Sequence, residues 1–237
     1  MNSSLIKPYI FGLYMAVVCC VPGNAQSDPV NNYLQQVGDY ADIYNGKVEA
    51  VYSVLLYKNF PYYMNFDYAE ASIIYRNNYY PGQKVRLDLY KEQLILLVPG
   101  KQFGIVVSFQ NTEKVYVYNK TFVRLIPPKE SGLKPGFYIQ LLKKEKMQLY
   151  RKEYFNLVQK EMIYYGFERG TRHYLVYNNR YHPVKNKGSF SKIFPQHKKS
   201  INKFAKDNKL NFKQNTDESF TSLAGYCEEL ITSTNKQ

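Results

Sequence analysis

Pairs of carboxylates are the reactive groups that this sequence offers most readily. Hydrolysis of a glycosidic bond needs only two carboxyl groups flanking the bond. Asp88 is the most suggestive of them, because it alternates with apolar residues in "VRLDLY" and would meet a substrate if a cavity faced that side. We favour the simpler interpretation, an ion pair with Arg86 or with a basic residue of a neighbouring strand on the solvent-facing side. The candidates are Asp67, Glu70, Asp88, Glu92 and Glu113.

Motifs for other chemistries are absent from the sequence. His173, His182 and His197 lie in three separate segments without the spacing of a zinc motif. There is no nucleophile elbow, phosphate loop or dinucleotide fingerprint. Cys227 falls within an apolar helical stripe, which predicts a buried core thiol instead of a nucleophile. We therefore predict no metal, no cofactor and no catalytic residue, and favour a protein that is not an enzyme.

Basic residues give the chain a net charge of +13 and concentrate near its C-terminus. Such a field attracts anionic polymers, while the alternative is an ordinary solvated helix face. A second basic group lies in "LLKKEKMQLYRKEY", which contains Lys143, Lys144, Lys146, Arg151 and Lys152. The predicted anion-binding residues are Lys192, Lys198, Lys199, Lys203 and Lys206.

The first 25 residues have the pattern of a removable signal peptide. Lys7 is followed by the apolar run "YIFGLYMAVVCCV", and "PGNA" places small residues before a cut after Ala25. Lipidation at Cys19 or Cys20 stays open, although Val18 stands where a small residue is usual. The pattern predicts an exported protein that lies in the periplasm, is associated with the outer membrane or is secreted. Nucleic acid is not an expected partner in these locations.

Short runs rich in β-branched and aromatic residues fill the range 47–188. We expect residues 26–46, which precede this range, to form either a short helix or extended chain. They predict antiparallel strands in a meander, a barrel-like sheet or a sandwich. Lysine and arginine interrupt both faces, which argues against an integral membrane protein. The runs are "KVEAVYSVLLY", "EASIIY", "QKVRLDLY", "QLILLV", "FGIVVSF", "KVYVY", "TFVRL", "FYIQLLKK", "KMQLYRKEY" and "RHYLVY".

Local patterns within this body predict hairpins. In "VRLDLYKEQLILLV" one strand should turn its apolar residues to the core, "KEQ" should form the bend, and "LILLV" should lie centrally in the sheet. A recurring Tyr, polar, apolar pattern suits tight hairpin tips, because asparagine and glycine tolerate positive φ. It occurs in "YNGKV", "YRNNYY", "YNKTF" and "YNNRY".

The periodicity changes to that of amphipathic helices in residues 189–237, which should pack on the sheet. A first helix should begin near Phe194, so that Pro195 falls in its first turn. A second helix should follow Asn215, which stands three residues before Glu218 in capping-box spacing.

Several of these segments together resemble a family of exported β-rich proteins of Bacteroidota for which no activity is established. They are "SIIYRNNYYPGQKVRLDLYKEQLIL", "KTFVRL", "GFYIQLL" and the tail beginning "FPQHKKSINKFAKDNKLNFK". The chain departs from the family's pattern at Ala71, Ser72 and Leu87. The resemblance implies a location in the cell envelope and no catalytic residues.

Taken together, the sequence predicts a mainly β, α+β protein of the cell envelope that acts as a non-catalytic binding or accessory module. Its expected partner is an anionic envelope polymer or an outer-membrane protein complex. Two alternatives stay open: a carboxylate-pair hydrolase acting on envelope glycans, and a structural docking partner of an outer-membrane complex.

Overall fold

A computed structural model describes residues 29–38 and 41–234. The predicted signal peptide of residues 1–25, with Cys19, Cys20 and the cleavage position Ala25, lies outside the described residues. Within the described ranges, none of the helices combines the length and the apolar character needed to span a bilayer.

One antiparallel sheet of 11 strands forms the body of the protein, so the predicted mainly β fold with C-terminal helices is confirmed. In space the strands follow the order β1-β5-β4-β3-β2-β6-β7-β8-β9-β10-β11. The sheet is therefore two meanders joined where β6 returns to lie beside β2. The strands are β1 Lys47–Val48, β2 Ala69–Tyr75, β3 Asn78–Asp88, β4 Gln93–Leu97, β5 Gly104–Val106, β6 Thr112–Val117, β7 Lys120–Leu125, β8 Gly136–Lys143, β9 Met147–Gln159, β10 Tyr165–Tyr177 and β11 Arg180–Val184.

Three of the four predicted tips are two-residue hairpin turns with positive φ at both central residues. Such turns match the twist of the flanking strands, and asparagine accepts this backbone conformation at low cost. The fourth pattern, "YNGKV", begins at the last residue of a 3₁₀ turn over Asp42–Tyr44 and runs into β1, so its prediction as a hairpin tip was wrong. The turn pairs are Arg76 and Asn77, Tyr118 and Asn119, and Asn178 and Asn179.

The predicted β3–β4 hairpin forms, but its bend covers residues 89–92 instead of "KEQ", because Gln93 already belongs to β4. Val85 and Leu87 are buried in the main core, and "LILLV" is buried over most of its length. The opposite side of β3 is also covered at this end, since Arg86 and Asp88 are only 6% and 1% exposed. What covers it is the chain between β1 and β2.

That covering chain departs from the prediction, because only Lys47–Val48 of "KVEAVYSVLLY" forms a strand. Its continuation crosses the sheet and is hydrogen-bonded on both sides. Lys58 N–H donates to the Tyr165 carbonyl of β10, and Tyr63 N–H donates to the Leu87 carbonyl of β3. The apolar run thus links two distant strands, a role that its alternation could not reveal.

Four α-helices within the described residues complete the fold. In the lead-in, α1 spans Pro29–Val37. The first C-terminal helix does not begin near Phe194: α2 spans Lys187–Ile193, a 3₁₀ turn covers Pro195–His197, and α3 spans Lys198–Asp207. Proline has no N–H to donate and clashes with the preceding turn, which explains the break. The last helix, α4, spans Thr216–Thr234 and begins directly after Asn215.

The apolar stripe of α4 packs on β9 and β10 and forms a second core with α2 and α3. Cys227 is 1% exposed within this core, which confirms the prediction of a buried thiol. Glu228 accepts a hydrogen bond of 2.9 Å from Lys146 N–H at the turn between β8 and β9, fixing the middle of the helix to the sheet. The N-terminal end of α4 is fixed by the ionic contacts described next.

Candidate functional site

A cleft of about 850 Å³ lies between β9, β10 and the N-terminal end of α4. β9 and β10 pair with His173 opposite Arg151 and Thr171 opposite Glu153, which brings charged side chains of both strands to the same place. α4 adds Asp217 from its first turn. The cleft is therefore built from two long strands and one helix end.

Five ionisable side chains form a continuous chain of contacts along the floor of this cleft. Asp217 contacts His173, with 2.8 Å between Oδ1 and Nε2, and its other oxygen pairs with Arg151. Arg151 Nη2 lies 2.7 Å from Glu153 Oε1, and the second oxygen of Glu153 pairs with Arg169. Glu153 is 3% exposed, so its charge depends on both arginines.

The electrostatics of this chain keep Asp217 ionised. Partial burial opposes its charge, but the hydrogen bond from His173 and the charge of Arg151 outweigh burial and lower the pKa of the Asp217 carboxyl. A carboxylate held in this way is a poor general acid. The two acidic groups of the floor serve as structural ion-pair partners.

Three cations at the cleft form no close ion pair with a carboxylate among the described residues, although the charge of Lys120 helps to lower the pKa of Asp217. They are Lys120, Arg172 and Lys185. The Arg172 guanidinium lies 5.0 Å from the centroid of the Tyr154 ring. Gly170, opposite Tyr154 in the β9–β10 pair, leaves room for this ring, because a Cβ there would lie 2.3 Å from it. The wall thus presents an aromatic face carrying a cation, next to two lysines.

The lysines that the sequence predicts to bind anions lie outside this cleft. Lys192 is on α2 and the others are on α3, and all five are exposed. Lys203 pairs with Asp207, with 2.5 Å between Nζ and Oδ2. The predicted residues are Lys192, Lys198, Lys199, Lys203 and Lys206.

Two members of the second predicted basic group are not on the surface. Arg151 is held in the cleft floor, and Lys152 is buried with its Nζ 2.5 Å from Glu92 Oε1 and 2.9 Å from the Phe137 carbonyl. Burial lowers the pKa of Lys152, although the charge of Glu92 opposes this. Their positive charges therefore contribute less to an external field than the sequence suggests.

The favoured prediction for Asp88, an ion pair with Arg86 or another basic residue on a solvent-facing side, was wrong. Asp88 is buried and is not paired with Arg86. It accepts hydrogen bonds from the Tyr52 hydroxyl at 2.8 Å and from the N–H groups of Tyr90 and Lys91 at 2.9 and 2.8 Å. Burial raises the pKa of Asp88 despite these bonds. Its role is to close the β3–β4 turn and to hold the covering chain.

Glu92 is the only one of the predicted carboxylates that lines a described cavity, one of about 590 Å³. Burial raises its pKa, but its oxygens are occupied by Lys152 and by Phe137 N–H. Asp88 does not line this cavity, so the two carboxylates do not converge on a space where a sugar could bind. Asp67 and Glu70 are exposed, and Glu113 is half-buried on β6.

The three histidines do not converge, since only His173 lies in the cleft. Within residues 29–38 and 41–234, no group of three or more histidine, cysteine or acidic side chains is arranged to hold a metal ion. The sequence missed the cleft because His173 and Asp217 are 44 residues apart. The only local signal was the alternation of Arg151, Glu153 and their neighbours in "LYRKEYF".

Comparison with known proteins gives no match: neither a family model, nor a curated protein, nor a solved structure is similar to this chain.

Proposed function

We propose that the protein is a non-catalytic binding module of the cell envelope that holds an anionic polymer in the cleft between β9, β10 and α4. The ligand class is a saccharide chain bearing carboxylate, sulfate or phosphate groups. Its anionic groups would contact Lys120, Arg172 and Lys185. A sugar ring would lie against the wall formed by Tyr154 and Arg172.

The observation that carries this proposal is the asymmetry of charge in the cleft. Of the acidic groups on its floor, Glu153 forms an ion pair with Arg151, and Asp217 contacts both Arg151 and His173. Lys120, Arg172 and Lys185 line the same space, and none of them forms a close ion pair with a carboxylate among the described residues. An anion entering the cleft therefore gains charge-assisted hydrogen bonds from these three cations, while Glu218 is the exposed carboxylate that lines the same cleft.

The same geometry does not favour the alternative of a carboxylate-pair hydrolase. Such an enzyme needs one carboxyl group that can donate a proton to the bond being cleaved. In the cleft, Asp217 has a lowered pKa and Glu153 is tied to two arginines. Outside it, Asp88 is sealed under the covering chain.

Affinity measurements with defined polymers test the proposal. Dextran sulfate and polygalacturonate serve as anionic probes, and neutral dextran is the control, each titrated at two salt concentrations. The cleft variant combines Lys120→Glu, Arg172→Glu and Lys185→Glu. The matched variant, with the same change in charge on α3, combines Lys198→Glu, Lys199→Glu and Lys203→Glu.

We expect the cleft variant to lose at least about tenfold in affinity for the anionic probes, because each charge-assisted bond contributes about 1.5–3 kcal/mol. The α3 variant should lose only the weaker, long-range electrostatic contribution to affinity, which disappears at high salt. A loss confined to the α3 variant would move the site to the lysines predicted from sequence. Equal binding of neutral dextran, or no binding of either anion, would overturn the proposal.

A further inference from the structure

Five aliphatic side chains project into solvent from two neighbouring turns, and we call this group the apolar tip. One turn begins at Ser53 in the covering chain, and the other joins β9 to β10. Two backbone hydrogen bonds of 2.9 Å hold them side by side: Tyr165 N–H donates to the Leu56 carbonyl, and Lys58 N–H to the Tyr165 carbonyl. The members of the tip, with exposed fractions, are Val54 74%, Leu55 76%, Leu56 47%, Met162 91% and Ile163 59%.

The composition of the apolar tip is unusual for turns. Turn positions generally carry glycine, proline, asparagine, aspartate or serine. Here both turns carry consecutive large apolar residues, 54–56 in one turn and 162–163 in the other. These side chains are exposed and are not part of the buried cores. A contiguous exposed apolar surface of this kind marks a site of interaction.

A collar of aromatic and basic residues surrounds the base of the tip. Tyr57 and Tyr165 have ring centroids 6.1 Å apart, and the Lys58 Nζ lies 3.8 Å from the centroid of the Tyr164 ring. Tyrosine has an apolar body and a polar hydroxyl, which suits the boundary between hydrocarbon and water. Lysine can extend its charge toward headgroups from the same depth.

The charges near the tip suit a headgroup layer. Glu161 lies 3.8 Å from Lys58, and Glu168 lies 2.6 Å from Lys160. Both carboxylates are therefore compensated, and the chain as a whole carries a net charge of +13. A zwitterionic or anionic lipid surface would meet no unpaired negative charge at these turns.

We propose that the apolar tip inserts into the interfacial region of a lipid bilayer and anchors the protein peripherally. Projecting aliphatic side chains above a tyrosine and lysine collar match the change in polarity across a membrane surface. The inference is independent of the cleft, because it uses different residues and a different ligand.

Fluorescence gives a local test, since the sequence contains no tryptophan. Met162→Trp places a single reporter in the tip, and Ile126→Trp places one at a residue that is 61% exposed outside both turns. Both are mixed with vesicles of phosphatidylcholine and phosphatidylglycerol, with or without brominated acyl chains. A local reporter is needed because the apolar run of residues 9–21 can itself bind lipid in an unprocessed chain.

We expect a blue shift and quenching by brominated lipid for Met162→Trp and neither for Ile126→Trp. When Leu55→Asp and Ile163→Asp are added to Met162→Trp, the lipid concentration needed for a half-maximal blue shift should rise at least about tenfold. Equal quenching of the two reporters, or retention of the shift in the aspartate variants, would overturn the proposal. So would a shift that needs no lipid and accompanies dimerisation in sedimentation velocity, because the tip would then bind a second copy.

Discussion

Arg86 and Glu49 form an ion pair that is almost completely removed from water. Arg86 Nη2 lies 2.6 Å from Glu49 Oε2, and the side chains are 5% and 4% exposed. Tyr62 and Tyr68 donate their hydroxyls to the Glu49 carboxylate at 2.8 and 3.3 Å. Their rings and that of Phe66 surround the guanidinium at 4.4 to 4.8 Å. This pair attaches the covering chain to β3.

Breaking the pair from one side should be costly. Arg86→Met leaves the Glu49 carboxylate buried without its cation, and we expect the free energy of unfolding to fall by about 3–5 kcal/mol. Lys84→Met is the matched control on the same strand, because Lys84 and Glu70 form an exposed pair 3.8 Å apart. Its loss should cost at most about 1 kcal/mol. Urea denaturation monitored by circular dichroism measures both.

A double variant separates the ion pair from the packing around it. Glu49→Gln combined with Arg86→Met removes both charges, and we expect it to be more stable than Arg86→Met alone, since no unpaired charge remains buried. Equal destabilisation of the single and double variants would show that the aromatic contacts of Arg86, and not its charge, hold the covering chain.

Asp88 should make stability depend on pH in the direction opposite to that of an ion-paired carboxylate with a lowered pKa, such as Asp217. Its folded-state pKa is raised above the ordinary 3.8, chiefly by burial. The folded state therefore binds the proton more tightly, and this group's contribution to stability falls as pH rises from 3.8 through the raised pKa. Asp88→Asn keeps an acceptor for the turn and removes the titration. We expect its stability relative to wild type to improve as the pH rises from 4 to 7, because only the wild-type carboxyl has to ionise in a buried position.

Urea denaturation across this pH range measures the Asp88 effect. Glu70→Gln is the control for the loss of one carboxyl group, because Glu70 is exposed on the neighbouring strand β2. Asp88→Ala should be destabilising at every pH, since three donors lose their acceptor. A constant difference between Asp88→Asn and wild type from pH 4 to pH 7 would contradict the expected titration.

The sequence predicted those parts of the fold that depend on neighbouring residues. Alternation placed Val85 and Leu87 in the core, and the asparagine patterns located three hairpin tips, because strand faces and tight turns are fixed by local geometry. Partnerships across the sheet were not accessible. Glu49 is 37 residues from Arg86, and a buried arginine looks the same in sequence as an exposed one. The burial of Asp88 was not predicted, because the chain that covers it has no regular secondary structure and therefore no recognisable sequence pattern.

Asp217 should stabilise the attachment of α4 in a pH-dependent way. Its pKa is lowered by His173 and Arg151 against the effect of burial, so its contribution is present above the ordinary 3.8 and is lost as pH falls through the lowered pKa. Asp217→Asn should cost about 2–3 kcal/mol at pH 7, because Arg151 loses a carboxylate. Glu218→Gln makes the same change of charge one residue later at an exposed position, and should stay within about 0.5 kcal/mol of wild type.

Hydrogen exchange locates the Asp217 effect within the molecule. In Asp217→Asn at pH 7 we expect faster exchange of amides in the first turns of α4. Exchange should be unchanged in the β3–β4 hairpin, because its buried residues Val85, Leu87, Leu94 and Leu96 belong to the main core and α4 packs in the second core. Glu218→Gln should exchange like wild type throughout. Uniform acceleration across the sheet and helix would mean that the ion pair supports the whole fold and not the docking of one helix.

Cys227 should behave as a reporter of unfolding and not as a reactive thiol. Burial in the second core raises its pKa to about 12, so almost no thiolate is present at pH 7. Iodoacetamide should label this residue only when α4 leaves the sheet, at a rate that rises steeply with urea, as measured by mass spectrometry of the peptide containing Cys227. Asp217→Asn should label faster than Glu218→Gln at the same urea concentration, because it weakens the attachment of α4. Rapid labelling of the native wild-type protein would contradict the packing of α4 against β9 and β10.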